Sequence, residues 1–422
     1  MNGIEPTESI VDQVPLVAQT AAVSSMASTS ISQPPGALQE ISADEIALYD
    51  RQIRLWGMRA QEMIRKANIL LIGVRALGNE IAKNLTLAGI GSLTILDDQA
   101  VTDDDLGAQF LVNEEDIATN RAEAAAVELR RMNPRVSIIT DTQSVLEKLP
   151  EYFSAFQIVI CTCQPFELAS TINISCRMYN TRFYAADIHG MYGYIFSDLI
   201  MHSFSIEREQ SNRPTQPGTK ESATRTVVSV QVKKDGEKSM ETVTKQETYC
   251  PLMLANSSPL AKDMLRTRRA KLQVTPLLSC LRTLFDIQKH GTNLLKENPQ
   301  KYLQLFTQMS RDKHLELQLP LETLTAEFLR SFIQNLGTEL TPTAAYLGGQ
   351  LAQDVINVLG EREQPIQNLL LFDGEDFKSP IYSMQPILDP TLTALPLTNG
   401  AVADLTDVDI SSSTVPQAVT AP

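Results

Sequence analysis

One stretch restricts the fold more than any other. The apolar run Ile69–Gly73 passes through GVRALG (Gly73–Gly78) into Asn79–Ala88, and Leu93–Asp97 follows at once. Ile69–Gly73 is short, branched and apolar, the pattern of a strand buried on both faces. Asn79–Ala88 carries helical spacing. A strand, a glycine turn, a helix and a second strand in so short a span form a βαβ crossover, which makes the two strands parallel. The rhythm continues. Glu114–Met132 reads as a long helix ended by Asn133-Pro134, and Val136–Asp141, Ile158–Thr162 and Arg182–Asp187 read as strands, with Phe166–Tyr179 helical between the last two. The fold class is therefore α/β: a doubly wound, mostly parallel Rossmann-like sheet covered on both faces.

The glycine loop raises the chemical question. A strand-to-helix turn of this kind can hold a phosphate, because the backbone turns tightly and brings a helix N-terminus to the anion. Gly73 and Gly78 suit that geometry, but Arg75 stands where a second glycine would let the phosphate approach. The same glycines also serve a plain structural turn. Asp97 lies at a strand end, where a dinucleotide site keeps its ribose acid. Alone it supports an NAD-dependent oxidoreductase, which Arg75 and the lack of a catalytic His or Lys pair in the second half oppose.

Ahead of the first strand, Ala43–Lys66 reads as helical, with Tyr49, Ile53 and Trp56 on one apolar stripe. Within it, YDRQIRLWG (Tyr49–Gly57) places Arg51 and Arg54 on other faces beside the only tryptophan of the chain. The whole divides into residues 1–42, a disordered tail without Lys or Arg up to position 40; 43–206, the first part of the sheet domain; 207–248, a flexible polar insertion in which Thr226–Val232 and METVTKQ can form a hairpin; 249–338, a helical insertion; 339–380, which completes the sheet domain; and 381–422, a mostly disordered tail. Ala344–Leu359, with Gly348-Gly349, reads as a helix and Asn368–Gly374 as a late buried strand.

Net charge is −14 over 422 residues. A surface so acidic excludes nucleic acid as the main partner. No apolar run reaches the roughly 20 residues of a membrane span. Five cysteines without CxxC or zinc-ligand spacing indicate reduced thiols in a cytosolic or nuclear compartment.

Taken together, YDRQIRLWG, the altered glycine loop, Leu93–Leu111, Asn120–Ala126, ICTCQ (Ile160–Gln164) and Leu347–Leu359 resemble the adenylating fold of the ubiquitin-like modifier activating enzymes. Within that family the chain is most similar to the smaller, cysteine-domain-poor subunits of SUMO-activating heterodimers. The resemblance implies an ATP- and Mg²⁺-dependent enzyme that adenylates the modifier's C-terminus before thioester transfer to a cysteine of the larger subunit. It also shows departures. The family's nucleotide-holding positions match Arg75, Gln99 in place of the ribose acid, Ala108 in place of an arginine, Arg121 in place of a lysine, and Cys163 in place of a magnesium-binding aspartate. A magnesium site without its carboxylate lacks the hard oxygen it needs. The resemblance thus implies no nucleotide or metal held by this chain, with ATP and Mg²⁺ bound by the partner. Arg51 matches an arginine that crosses to the partner's nucleotide, and Arg54 lies close by in support. The implied partners are the larger cysteine-bearing subunit, a SUMO-type modifier and, indirectly, a conjugating enzyme. The implied location is the nucleus, with some in the cytoplasm. Other readings are a regulatory subunit for another ubiquitin-like modifier, a homodimeric adenylating enzyme and a non-catalytic scaffold.

Four residues carry weaker signals. Cys161 and Cys163 form a CxC at a strand end, which suits small buried side chains as well as redox chemistry. Cys250 precedes Pro251, as an active-partner thioester cysteine does, but no catalytic half-domain surrounds it. His189 reads as a loop or core residue rather than a ligand.

Overall fold

The computed structural model describes residues 42–210, 214–235, 238–289 and 298–386. Two compact units separate between Leu48 and Tyr49. The first contributes α1 (Ala43–Leu48), whose start is closed by Ser42: its Oγ accepts from Glu45 N at 3.2 Å, and Glu45 Oε2 accepts from Ser42 N at 3.2 Å. The expected single helix from Ala43 to Lys66 is not formed. The second unit begins with Tyr49, then α2 (Asp50–Trp56) and α3 (Met58–Arg65), broken at Gly57, which has φ +86°. Glycine there permits a turn that a side chain would strain. The predicted stripe is uneven as well: Tyr49 is buried, whereas Ile53 and Trp56 are half-buried.

β1 (Asn68–Ile72) lies inside an eight-stranded sheet. To one side stand β2 (Ser92–Leu96) and β3 (Ser137–Asp141); to the other come β4 (Ile158–Thr162), β5 (Arg182–His189), β6 (Tyr192–Asp198), β10 (Leu369–Asp373) and β11 (Ile381–Tyr382). β3 to β5 across the centre are parallel, and β6, β10 and β11 close the far edge with antiparallel pairings. Side chains of β1 alternate between two cores. Ile69 and Leu71 pack with α4 (Ala76–Ala88), α5 (Arg121–Met132) and α13 (Thr341–Gly360); Leu70 and Ile72 pack with α6 (Phe166–Met178) and α10 (Leu277–Lys289). This is the covered parallel sheet that uninterrupted apolar strands require.

Three boundaries differ from expectation. The helix expected from Glu114 starts only at Arg121, because Asn120 caps it: its Oδ1 accepts from Ala122 N at 2.9 Å and Glu123 N at 3.1 Å. Residues 381–386, assigned to the terminal tail, belong to the fold, with β11 paired to β10 and Met384 fully buried. In the polar insertion the expected hairpin is present as β8 (Arg225–Asp235) and β9 (Lys238–Thr248), but it is part of an ordered antiparallel sheet in the order β7 (Met201–Glu209), β9, β8 rather than of a flexible segment. Its polar strands are held by ion pairs such as Arg208–Glu241 at 2.8 Å and Lys245–Glu221 at 2.7 Å, with Glu241 and Lys245 buried. The tails 1–41 and 387–422 lie outside the described residues. Between β9 and the final helix run α7 (Leu252–Ser257), α8 (Lys262–Leu265), α9 (Arg268–Lys271), α10, α11 (Pro299–Glu316) and α12 (Ala326–Gln334). No described helix is long and apolar enough to cross a membrane.

Candidate functional site

In open parallel sheets, ligands bind beyond the carboxyl ends of the strands where strand order reverses. Here the order reverses between β1 and β4. A cavity of about 370 Å³ opens at that point, lined by the ends of β1 and β2, by Asp104, Asp105 and Arg121, and by Cys163 and Gln164 after β4. A second cavity of about 380 Å³ continues it over β5 and shares Arg75, Cys163 and Gln164.

The glycines of the loop serve packing. Gly73 has φ +82°, and a Cβ there would meet Thr162 O at 2.7 Å; a Cβ on Gly78 would meet Gly73 O at 2.4 Å. Thr162 Oγ1 donates to Gly73 O at 2.7 Å, tying loop to β4. Three of the loop's donors are already taken. Gly73 N reaches Leu96 O at 2.9 Å, and Val74 N reaches Asp97 Oδ2 at 2.9 Å. At the N-terminus of α4, Ala76 N lies 3.4 Å from Glu339 Oε2. A carboxylate thus stands where a helix N-terminus would meet a phosphate.

The cations are engaged too. Arg75 Nε lies 3.1 Å from Glu339 Oε1, so its side chain is drawn toward the segment before α13. Burial raises the Glu339 carboxyl above its ordinary value, against the opposing pull of Arg75. Arg121, buried, lies 3.3 Å from Asp97 and 3.1 Å from Asp105. Burial opposes its charge, yet Asp97 and Asp105 outweigh burial and raise the guanidinium pKa. For Asp105 burial pushes upward, while hydrogen bonding from Thr102 N and the charge of Arg121 prevail and lower it. Asp97, which suggested a ribose acid, is therefore a buried structural partner of the loop and of Arg121, also accepting from Gln99 N at 3.0 Å. Four aspartates face two arginines around the first cavity.

Gln99 is exposed and its Nε2 donates to Asp98 at 2.6 Å; Ala108 is half-buried against the core. Cys163 is half-buried with φ +54°, a left-handed backbone that Asp and Asn adopt more readily. Burial and then Asp187 hold its thiol well above the ordinary value, which removes thiolate reactivity. Cys161 is buried and its thiol raised by burial, then by Asp187. Cys250 is buried, Sγ 3.0 Å from Met384 O, and burial pushes it up to about 12. His189 lines the second cavity, its Nδ1 accepting from Gly337 N at 3.3 Å. Among the described residues no group of three His, Cys, Asp or Glu is placed to hold a metal.

Arg51 and Arg54 do not line this cleft. Both are exposed on α2. Arg54 Nη2 pairs with Asp50 at 2.9 Å, one turn back. Among the described residues Arg51 has no hydrogen-bond or ion-pair partner. Leu55, on the same helix, is 74% exposed. Sequence reasoning missed Asp105 and Glu339. Thr102 and Asp105 form a capping box, a signal that spacing alone displays; Glu339 offers no local signal.

The ThiF family matches residues 49–388. The chain is 38% identical to the DNA damage tolerance protein RHC31 of Saccharomyces cerevisiae over 352 residues, 82% of this chain and 98% of that one. It is 34% identical to the DNA damage tolerance protein rad31 of Schizosaccharomyces pombe over 345 residues, 82% and 98% of the two chains. It is 32% identical to SUMO-activating enzyme subunit 1 of Homo sapiens over 343 residues, 79% and 93%.

Proposed function

The chain belongs to the ThiF family, and from that premise we propose that it is the smaller, non-thioester subunit of a heterodimeric SUMO-activating enzyme. In this reading the larger subunit binds ATP and Mg²⁺, adenylates the modifier's C-terminus and carries the catalytic cysteine, from which a conjugating enzyme later takes the modifier. The present chain completes that ATP site with Arg51. A nuclear and partly cytoplasmic location goes with this role.

The observation that carries the reading is the contrast in charge use. Against nucleotide binding in this chain's own cleft speak three loop amides that donate to Leu96 O, Asp97 and Glu339 and two arginines that pair with the chain's own carboxylates. Cys163 adds no hard oxygen for magnesium. No step of the reaction is therefore assigned to this cleft. Arg51, by contrast, has a guanidinium unclaimed among the described residues and stands beside an exposed leucine, as expected where a second subunit covers the surface. Adenylation develops charge on the departing pyrophosphate, and a planar, permanently charged fork can hold two phosphate oxygens at once.

The test pairs Arg51→Ala with the wild-type larger subunit and follows modifier-dependent ATP–pyrophosphate exchange. Removing one donor to developing charge lowers the rate by about 100-fold. Unchanged exchange in an intact dimer overturns the role of Arg51.

A further inference from the structure

α2 has seven residues, too few to sustain a helix in water unaided. Arg51, Arg54 and Leu55 are exposed and gain little from packing. The helix is held at its ends. At the N-terminal end, the buried Tyr49 ring lies against Gly89, where an added Cβ would come within 2.5 Å of it. The phenol oxygen accepts from Asn133 Nδ2 at 2.9 Å, and the same amide group donates to Thr86 O at 2.9 Å. At the C-terminal end, Arg362 Nη1 donates to Trp56 O at 3.0 Å, while Nη2 lies 3.3 Å from Glu207. A guanidinium on a terminal helix carbonyl satisfies an orphan acceptor and opposes the negative end of the dipole.

Arg362 is itself anchored. Ser205 N donates to Glu361 O at 3.0 Å and Glu363 N donates to Ser205 O at 3.2 Å, so the segment after α13 is bonded to β7. One residue thereby links the inserted sheet to the arginine-bearing helix.

We propose that Arg362 and Tyr49 are positioning residues that fix the direction in which α2 presents Arg51. The proposal rests on the reading of Arg51 given above, and its test separates the two. In the assembled heterodimer, Arg362→Ala lowers ATP–pyrophosphate exchange about tenfold through kcat, since small misplacements of a charge-stabilising group act on the transition state. Arg362→Lys, which keeps a donor for Trp56 O, restores most of that loss. In an Arg51→Ala background, Arg362→Ala adds less than about twofold, the non-additivity expected when one residue acts through the other. Full additivity overturns the proposal.

A second readout does not depend on Arg51 chemistry. Hydrogen exchange of the α2 amides in Arg362→Ala, with the dimer intact, speeds up about tenfold as the helix end opens. Unchanged protection overturns the proposal. Faster exchange combined with a silent Arg51→Ala retains the clamp and removes the role assigned to Arg51. Tyr49→Phe, which loses only the bond to Asn133, gives a smaller change in the same direction.

Discussion

In the cleft, the Arg121 guanidinium lies between Asp97 and Asp105 at 3.1 to 3.3 Å and is shut away from solvent. On α2, Arg51 stands in solvent with no acceptor among the described residues. The difference follows from burial. A charge taken out of water must be neutralised within the fold, so its hydrogen bonds are committed before any ligand arrives. A charge left at the surface costs little to leave open and stays available to another molecule. The region that the family's sequence pattern marks for nucleotide is the committed one.

The largest expected effect breaks the cleft side of this comparison. Arg121→Ala leaves Asp97 and Asp105 buried without their cation, which costs about 3–5 kcal/mol of folding stability, read by denaturant unfolding. A loss under about 1 kcal/mol would mean that water already screens these carboxylates, and the cleft would then be open to ligand.

Asp354 sharpens the point, being a carboxylate buried without a cation. Tyr184 Oη donates to it at 2.7 Å and Ile366 N at 2.9 Å, yet burial raises its pKa from 3.8 to about 6. A raised carboxyl contributes stability that is fully present below the unfolded value of 3.8 and is lost as pH rises through about 6. The depressed Asp105 behaves oppositely, stabilising above 3.8 and losing that contribution as pH falls. Between pH 4 and pH 7 the unfolding free energy of the wild type therefore drops relative to Asp354→Asn, by up to about 3 kcal/mol. A difference independent of pH would show that Asp354 is charged in the fold throughout.

The smallest effect lies on the helix. Arg54→Ala removes an exposed pair with Asp50 one turn away, worth under about 0.5 kcal/mol. A drop comparable to that of Arg121→Ala would erase the distinction between committed and free charge.

Much of the fold was legible in periodicity. The apolar run of β1, the glycine turn and α4 announced the parallel crossover, and Gly73 and Gly78 prove to be packing glycines. Polar segments were harder. The β8–β9 hairpin showed in its alternation and turn, but not β7 beside it, nor ion pairs such as Arg208–Glu241, whose polar residues composition registers as a soluble loop. The start of α5 was misjudged because an acidic run with helical propensity precedes Asn120, and the cap of Asn120 wins locally. In the site, Arg75 was noticed as an obstacle, but not that Glu339 would draw its side chain aside.

The sequence by itself determined the strand and helix alternation and the presence of arginines before β1, because each is set by residues close together in the chain. Tertiary structure alone decided which charges are spoken for. Ala76 meets Glu339 across 263 residues and Arg362 meets Trp56 across 306. Pairings at such separations depend on how helices and inserted strands close over the sheet, and the strength of each depends on the water excluded there, a quantity that no local run of residues records.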